Sequence, residues 1–230
     1  MKRFYKKVSV AEQDGMYTVH LDGKPIKTPI KSPCLMPNKN MAEAVAKEWD
    51  EQEEDVDPHS MPITKLVNTA IDRVGKRRDD LIDELVEFAG SDQICYRAEH
   101  PTELVDLQDE NWNPLLDYIN ENHDISFEIT SGILFVEQSA SILSKYRKIV
   151  ENIESFELTA YYGMTTVAGS VTIGLALFEG KISIDDAWNA GLLDENFQIS
   201  KWGSDEEAEK RREGLRAELD NAAKFLSLCR

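Results

Sequence analysis

The sequence predicts an α+β fold: an N-terminal mixed module of short antiparallel strands and helices, followed by an all-helical C-terminal module. Two observations carry this expectation. β-Branched and aromatic residues punctuated by Asp-Gly turns fill roughly the first 36 positions, and helical periodicity begins after Pro37-Asn38. Beyond Pro101 the pattern turns to helix, which sets the expected domains at residues 1–100 and 101–230.

Residues 4–10 and 16–21 read as strands, with Asp14-Gly15 and Asp22-Gly23 as hairpin-type turns. Residues 24–29 continue extended, and their two prolines mark a sheet edge. Met41, Val45 and Trp49 recur at four-residue spacing in a helix ending near Glu53. Ile63, Leu66, Val67, Ala70, Ile71 and Val74 mark a second helix, broken at Gly75. Leu81, Ile82, Leu85, Val86 and Phe88 mark a third, before a brief extended segment at 94–97. A helix over 104–118 contains Pro114 as a kink or junction. Residues 125–129 alternate like a short strand, and helices are expected at about 137–153, 156–178, 183–193 and 204–228. Trp49 and Trp188 lie on apolar stripes and are expected to pack in the core.

Composition narrows the function. The chain has 230 residues, 26 basic and 43 acidic, for a formal net charge of −17. So acidic a chain repels phosphate backbones and anionic membranes, which argues against nucleic acid as a partner. Cys34, Cys95 and Cys229 are far apart and odd in number, as expected of free thiols in a reducing compartment. The basic start, Met1 to Lys7, lacks the apolar run of a signal peptide, so no targeting segment is expected before the fold. Residues 158–178 are uncharged and long enough to span a bilayer. They include Thr159, Thr165, Thr166, Ser170 and Thr172, and are flanked by Glu157 and Glu179, so a buried central helix is expected rather than membrane insertion.

Catalytic motifs are absent. His20, His59, His100 and His123 are scattered and form no HExxH pair. The glycines form no GxGxxG, Gly75-Lys76 lacks the rest of a phosphate loop, and Gly169-Ser170-Val171 is no nucleophile elbow. Acid pairs are uninformative in so acidic a chain. No catalytic, cofactor-binding or metal-ligating residue is therefore assigned, and the chain reads as a non-enzyme. The alternative is a hydrolase with a carboxylate pair in an interdomain cleft.

Residues 201–208, Lys-Trp-Gly-Ser-Asp-Glu-Glu-Ala, read as the opening of the last helix. An aromatic beside three consecutive acids suits protein contact better than chemistry. The same residues also spell a helix start: Ser204 and Glu207 have capping-box spacing, which would make Ser204 the N-cap, and Asp205 favours the helix dipole. Glu206 is the acid left without a capping role.

Several blocks, in order, resemble one family, the assembly chaperone that handles the alpha subunit of the F-type ATP synthase catalytic head. They include Arg3-Phe4-Tyr5-Lys6, Leu21-Asp22-Gly23-Lys24-Pro25-Ile26-Lys27-Thr28-Pro29, Ala46-Lys47-Glu48-Trp49-Asp50-Glu51-Gln52 and Met61-Pro62-Ile63-Thr64. Asn68-Thr69-Ala70-Ile71-Asp72, Asp92-Gln93-Ile94-Cys95-Tyr96-Arg97-Ala98 and Trp112-Asn113-Pro114-Leu115-Leu116 follow, then Asp194-Glu195, Gln198 and Lys201-Trp202-Gly203. Asn113 departs from the family's usual aspartate. The resemblance implies a two-domain fold and transient binding of the unassembled alpha subunit, preventing its aggregation until beta arrives, with no cofactor or catalysis. The family's acidic position after Trp-Gly falls on Glu206, the expected client contact, with Trp202 and Asp205 beside it. An acidic monomer in a bacterial cytoplasm is expected; the alternative is a processed mitochondrial matrix protein.

Overall fold

The structure is a computed structural model describing residues 1–132 and 134–230. Its first elements are β1 (Val8–Gln13), β2 (Met16–Leu21), β3 (Lys24–Pro25), α1 (Lys39–Asp50), α2 (Pro62–Thr69), α3 (Arg78–Ala89) and β4 (Tyr96–Arg97). They continue with α4 (Thr102–His123), β5 (Thr130–Ser131), α5 (Ala140–Glu151), α6 (Ser155–Ala168), α7 (Val171–Phe178), α8 (Ile184–Gly191), α9 (Leu193–Trp202) and α10 (Glu206–Cys229). The architecture is α+β. Two compact units form: one takes Met1–Arg78, Glu154–Ala160 and Lys224–Arg230, the other Asp79–Ile153 and Tyr161–Ala223.

In the first unit, β1, β2 and β3 make an antiparallel sheet in sequence order. Asp14 and Gly15 both have positive φ, 52° and 78°, as the predicted tight hairpin requires. Helix α1 packs on β1 and β2, burying Met41, Ala42 and Val45. Asn38 caps it, accepting from the Met41 N–H at 2.9 Å while its own amide donates to the Leu228 carbonyl at 2.7 Å.

Helix α2 begins at Pro62 without a side-chain cap from its own N-terminus. The buried Glu48 carboxylate of α1 takes that role. It accepts from the Ile63 N–H at 2.8 Å, the Thr64 N–H at 2.7 Å and the Thr64 hydroxyl at 2.6 Å. Acid placed on the donor end of a helix satisfies orphan N–H groups and the dipole together.

The core of the second unit centres on α7, whose residues are all buried and which packs against α4 and α8. Asp92 organises one side of it. Its carboxylate accepts from the Ile94 N–H at 3.2 Å, the Thr172 N–H at 3.0 Å and the Thr172 hydroxyl at 2.9 Å. Burial pushes this carboxyl up, against the lowering effect of these bonds and of Ser170.

Several expected elements are corrected. The single helix at 156–178 is two helices, α6 and α7. Gly169 adopts φ +66°, and Ser170 caps α7 by accepting from the Ile173 N–H at 3.1 Å. Residues 125–129 form no strand, although Ile125 and Phe127 are buried alternately as predicted. The Gln138 side chain satisfies the Glu128 N–H at 2.9 Å and carbonyl at 2.8 Å, replacing a strand partner. The strand lies just beyond: β5 pairs parallel with β4 through Tyr96↔Thr130 and Arg97↔Ser131. Pro114 lies inside the continuous α4. The indole that is fully buried is Trp112, whose N–H donates to the Ala190 carbonyl at 2.9 Å, whereas Trp49 and Trp188 are half-buried.

Candidate functional site

The segment expected to open the last helix instead joins two helices. Lys201 and Trp202 end α9, and α10 begins at Glu206. Helix α9 escaped the sequence reading because only Leu193 and Phe197 on it are buried, too few for a clear apolar stripe. Gly203 terminates it at φ +82°, ψ 179°, its N–H donating to the Ile199 carbonyl at 2.8 Å. That left-handed φ suits glycine and turns the chain within three residues.

The N-cap of α10 is Asp205, not Ser204. Asp205 Oδ1 accepts from the Ala208 N–H at 2.8 Å, and the Asp205 carbonyl accepts the first helical bond from Glu209 at 3.0 Å. Ser204 Oγ only approaches the Asp205 carbonyl, at 3.3 Å. Asp and Ser cap about equally well, and aspartate's charge adds a favourable interaction with the dipole, so the later residue wins. Glu206 is then the first helical residue and Glu207 the second. Ala208 occupies the third position and has no side chain to complete a capping box.

The three predicted client residues therefore lie together, with different duties. Trp202 is 79% exposed and has no hydrogen-bond, ring or cation partner among the described residues. Glu206 is exposed, in the first turn beside Glu207, and has no ion-pair partner among the described residues. Asp205 is exposed but holds the cap.

A fork of charges fixes the two helices behind this corner. Glu195 of α9 pairs with Arg211 and, at 3.0 Å, with Arg212 of α10, while Arg212 also donates to Asn196 Oδ1 at 2.6 Å. Burial disfavours the Glu195 charge, but the hydrogen bonds from Arg212 and Arg211 outweigh it and hold the carboxyl below its ordinary range. Arg212 and Arg216 also lie over the Trp188 ring, 5.3 and 5.9 Å from its centroid, which accounts for that indole's place outside the core. Asp194 accepts from Gln108 of α4 at 2.7 Å, and Lys201 reaches Glu103 at 2.6 Å. None of these anchors was identifiable from spacing, since each joins residues far apart in sequence. Among the described residues no cluster of histidine, cysteine and carboxylate could hold a metal, and no helix is long and apolar enough to cross a membrane.

Comparison with known proteins identifies the family of the chain. A family model described as ATP12 chaperone protein matches residues 2–120. Mitochondrial protein atp12 of Schizosaccharomyces pombe is 27% identical over 241 residues, covering 99% of this chain and 82% of that protein. Mitochondrial ATP12 of Saccharomyces cerevisiae is 22% identical, covering 96% and 82%. The crystal structure of Atp12 from Paracoccus denitrificans has a TM-score of 0.95 and 35% identity, covering all of this chain and 98% of that one. The Atu1473 protein of Agrobacterium tumefaciens has a TM-score of 0.93 at 35% identity, covering 100% and 86%. The hydrolase alternative gains no support from any of these. With its family model, relatives and fold in agreement, the chain belongs to the ATP12 chaperone family, the ATP synthase assembly chaperones that its ordered sequence blocks resemble, and not to an enzyme family.

Proposed function

We propose that the client is the unassembled alpha subunit of the F-type ATP synthase catalytic head, held until beta displaces the chaperone. Trp202, Asp205 and Glu206 are the proposed client contacts. The observation that carries this is an exposed indole without partners next to unpaired first-turn acids. An unassembled subunit exposes apolar interface surface and aggregates. An aromatic anchor rimmed by charge binds such a surface while leaving exchange possible when a larger interface competes. A monomeric chaperone in a bacterial cytoplasm fits the acidic composition, and the fungal relatives, named as mitochondrial proteins, support the alternative compartment.

The test is light scattering of isolated alpha subunit at its aggregation temperature. The protein suppresses scattering at near-stoichiometric ratio, and Trp202→Ala and Glu206→Lys lose that protection while keeping their far-UV spectrum. Full protection by both folded variants would place the client elsewhere.

A further inference from the structure

Residues 1–31 carry seven basic and three acidic side chains, within a chain of net charge −17. In this positive stretch the first unit has a cavity of about 410 Å³ lined by Phe4, Tyr5, Ile26 and Trp49, with Lys24 and Lys27 also in its lining. The rings form an edge-to-face ladder: Phe4 to Tyr5 at 5.3 Å and 82°, Tyr5 to Trp49 at 5.7 Å and 65°. The Tyr5 hydroxyl donates to the Trp49 carbonyl at 2.6 Å, which fixes the inner rungs. Phe4 is 64% exposed, an aromatic left open to water on a preformed apolar wall. The Trp49 indole N–H is buried with no partner among the described residues, where nearly all buried donors are satisfied.

The charges of this cavity are unbalanced. Asp22 is the one carboxylate in the lining. Its oxygens are occupied by the Lys6 N–H at 3.1 and 3.2 Å and the Lys7 N–H at 2.9 Å. Lys24 and Lys27 are exposed and have no carboxylate partner among the described residues. In a protein with a large excess of acids, two unpaired lysines beside an open aromatic wall leave attraction for an anion unsatisfied.

We propose that this cavity docks an extended protein segment presenting an aliphatic or aromatic side chain flanked by carboxylates. The apolar side chain covers Phe4 and Ile26, and the flanking carboxylates meet Lys24 and Lys27. This goes beyond the chaperone reading, which uses acidic residues of the second unit. It adds a basic contact of opposite preference in the first.

The experiment titrates the full chain with an acetylated, amidated hexapeptide, Asp-Glu-Phe-Leu-Asp-Glu. Binding is followed by the ¹H–¹⁵N signal of the Trp49 indole, identified by its loss in Trp49→Phe. A saturable shift is expected, weakening with salt. A peptide with lysines for the acids, and one with serines for Phe-Leu, should each bind about tenfold more weakly or worse. Lys24→Glu/Lys27→Glu should lose about tenfold in affinity for the acidic peptide with an unchanged melting temperature, because both side chains are exposed and unpaired. Equal binding of the lysine peptide, undiminished binding by the double variant, or no saturation would overturn the proposal. So would self-association that the double variant abolishes, which would assign the cavity to a second copy of the chain. The peptide titration uses no alpha subunit, so failure of the aggregation assay leaves this measurement standing, and the reverse also holds.

Discussion

Asp205 carries both a cap and a charge, and two substitutions separate them. Asp205→Ala removes the acceptor that holds the Ala208 N–H at 2.8 Å and the negative charge at the start of α10. Loss of an N-cap side chain costs about 1 kcal/mol. Loss of the charge at the helix dipole adds roughly 0.3–1 kcal/mol. The expected destabilisation is therefore about 1–2 kcal/mol, or roughly 2–8 °C in melting temperature for a chain of this size. Asp205→Asn keeps the cap, because asparagine caps as well as aspartate, and should lose only the dipole part, about 0.3–1 kcal/mol. Ser204→Ala should be neutral, since Ser204 Oγ meets nothing but a carbonyl at 3.3 Å. Urea unfolding measures the totals, and amide exchange at Ala208 reports the first turn directly. Asp205→Asn then tests the charge in the aggregation assay with the helix intact. Were Ser204→Ala to destabilise as much as Asp205→Ala, the assignment of the cap to Asp205 would be wrong.

Glu48→Gln replaces a carboxylate that accepts three donors with an amide that turns an N–H toward some of them. The expected loss is about 2–4 kcal/mol by urea unfolding, and a loss below about 1 kcal/mol would remove Glu48 as the cap of α2. Gly169→Ala would place a Cβ 2.5 Å from Gln93 Oε1 at a φ of +66°. It should destabilise by about 2 kcal/mol or more and break the Gln93 bond to the Gly191 carbonyl, seen as faster amide exchange around α7. Burial pushes the Cys34 and Cys229 thiols up to about 12 and raises Cys95 as well, with Asp72, Glu157 and Asp92 respectively adding to the effect. At pH 8 iodoacetamide should label the folded chain slowly and all three cysteines once urea unfolds it. The folded thiols keep protons that unfolded thiols release near about pH 8.5. This contribution to stability is thus complete below that pH and is lost as pH rises toward 12.

Much of the architecture was readable because local signals agreed with tertiary need. Asp14-Gly15 has one favoured use between two β-rich runs, and the period of Met41 and Val45 matches the buried face of α1. Other features depend on partners remote in sequence. An uncharged run such as 158–178 has no polar face to show where a helix stops, and the break at Gly169 is fixed by Ser170 and by Gln93. The alternation at 125–129 was real, but Gln138 rather than a strand completed its hydrogen bonds. At the proposed client corner, residue types led to Trp202 and the acids after it, and the family resemblance singled out Glu206 among them. The choice between Ser204 and Asp205 as cap was lost because two good capping residues stood side by side. The lysine-flanked cavity was hidden by averaging, since an overall charge of −17 masks a positive first stretch.

The Glu195 fork with Arg211 and Arg212 has a kinetic meaning for a chaperone. It clamps the helices on both sides of a linker three residues long, so the corner bearing Trp202 and Glu206, which we propose as the client contact, is already in place before a client arrives. Little chain entropy is then lost on encounter, and capture can proceed by simple collision, without waiting for a segment to fold. On that proposal the lifetime of the complex would rest on the contacts themselves, and a growing assembly would remove the client by replacing a few contacts at a time.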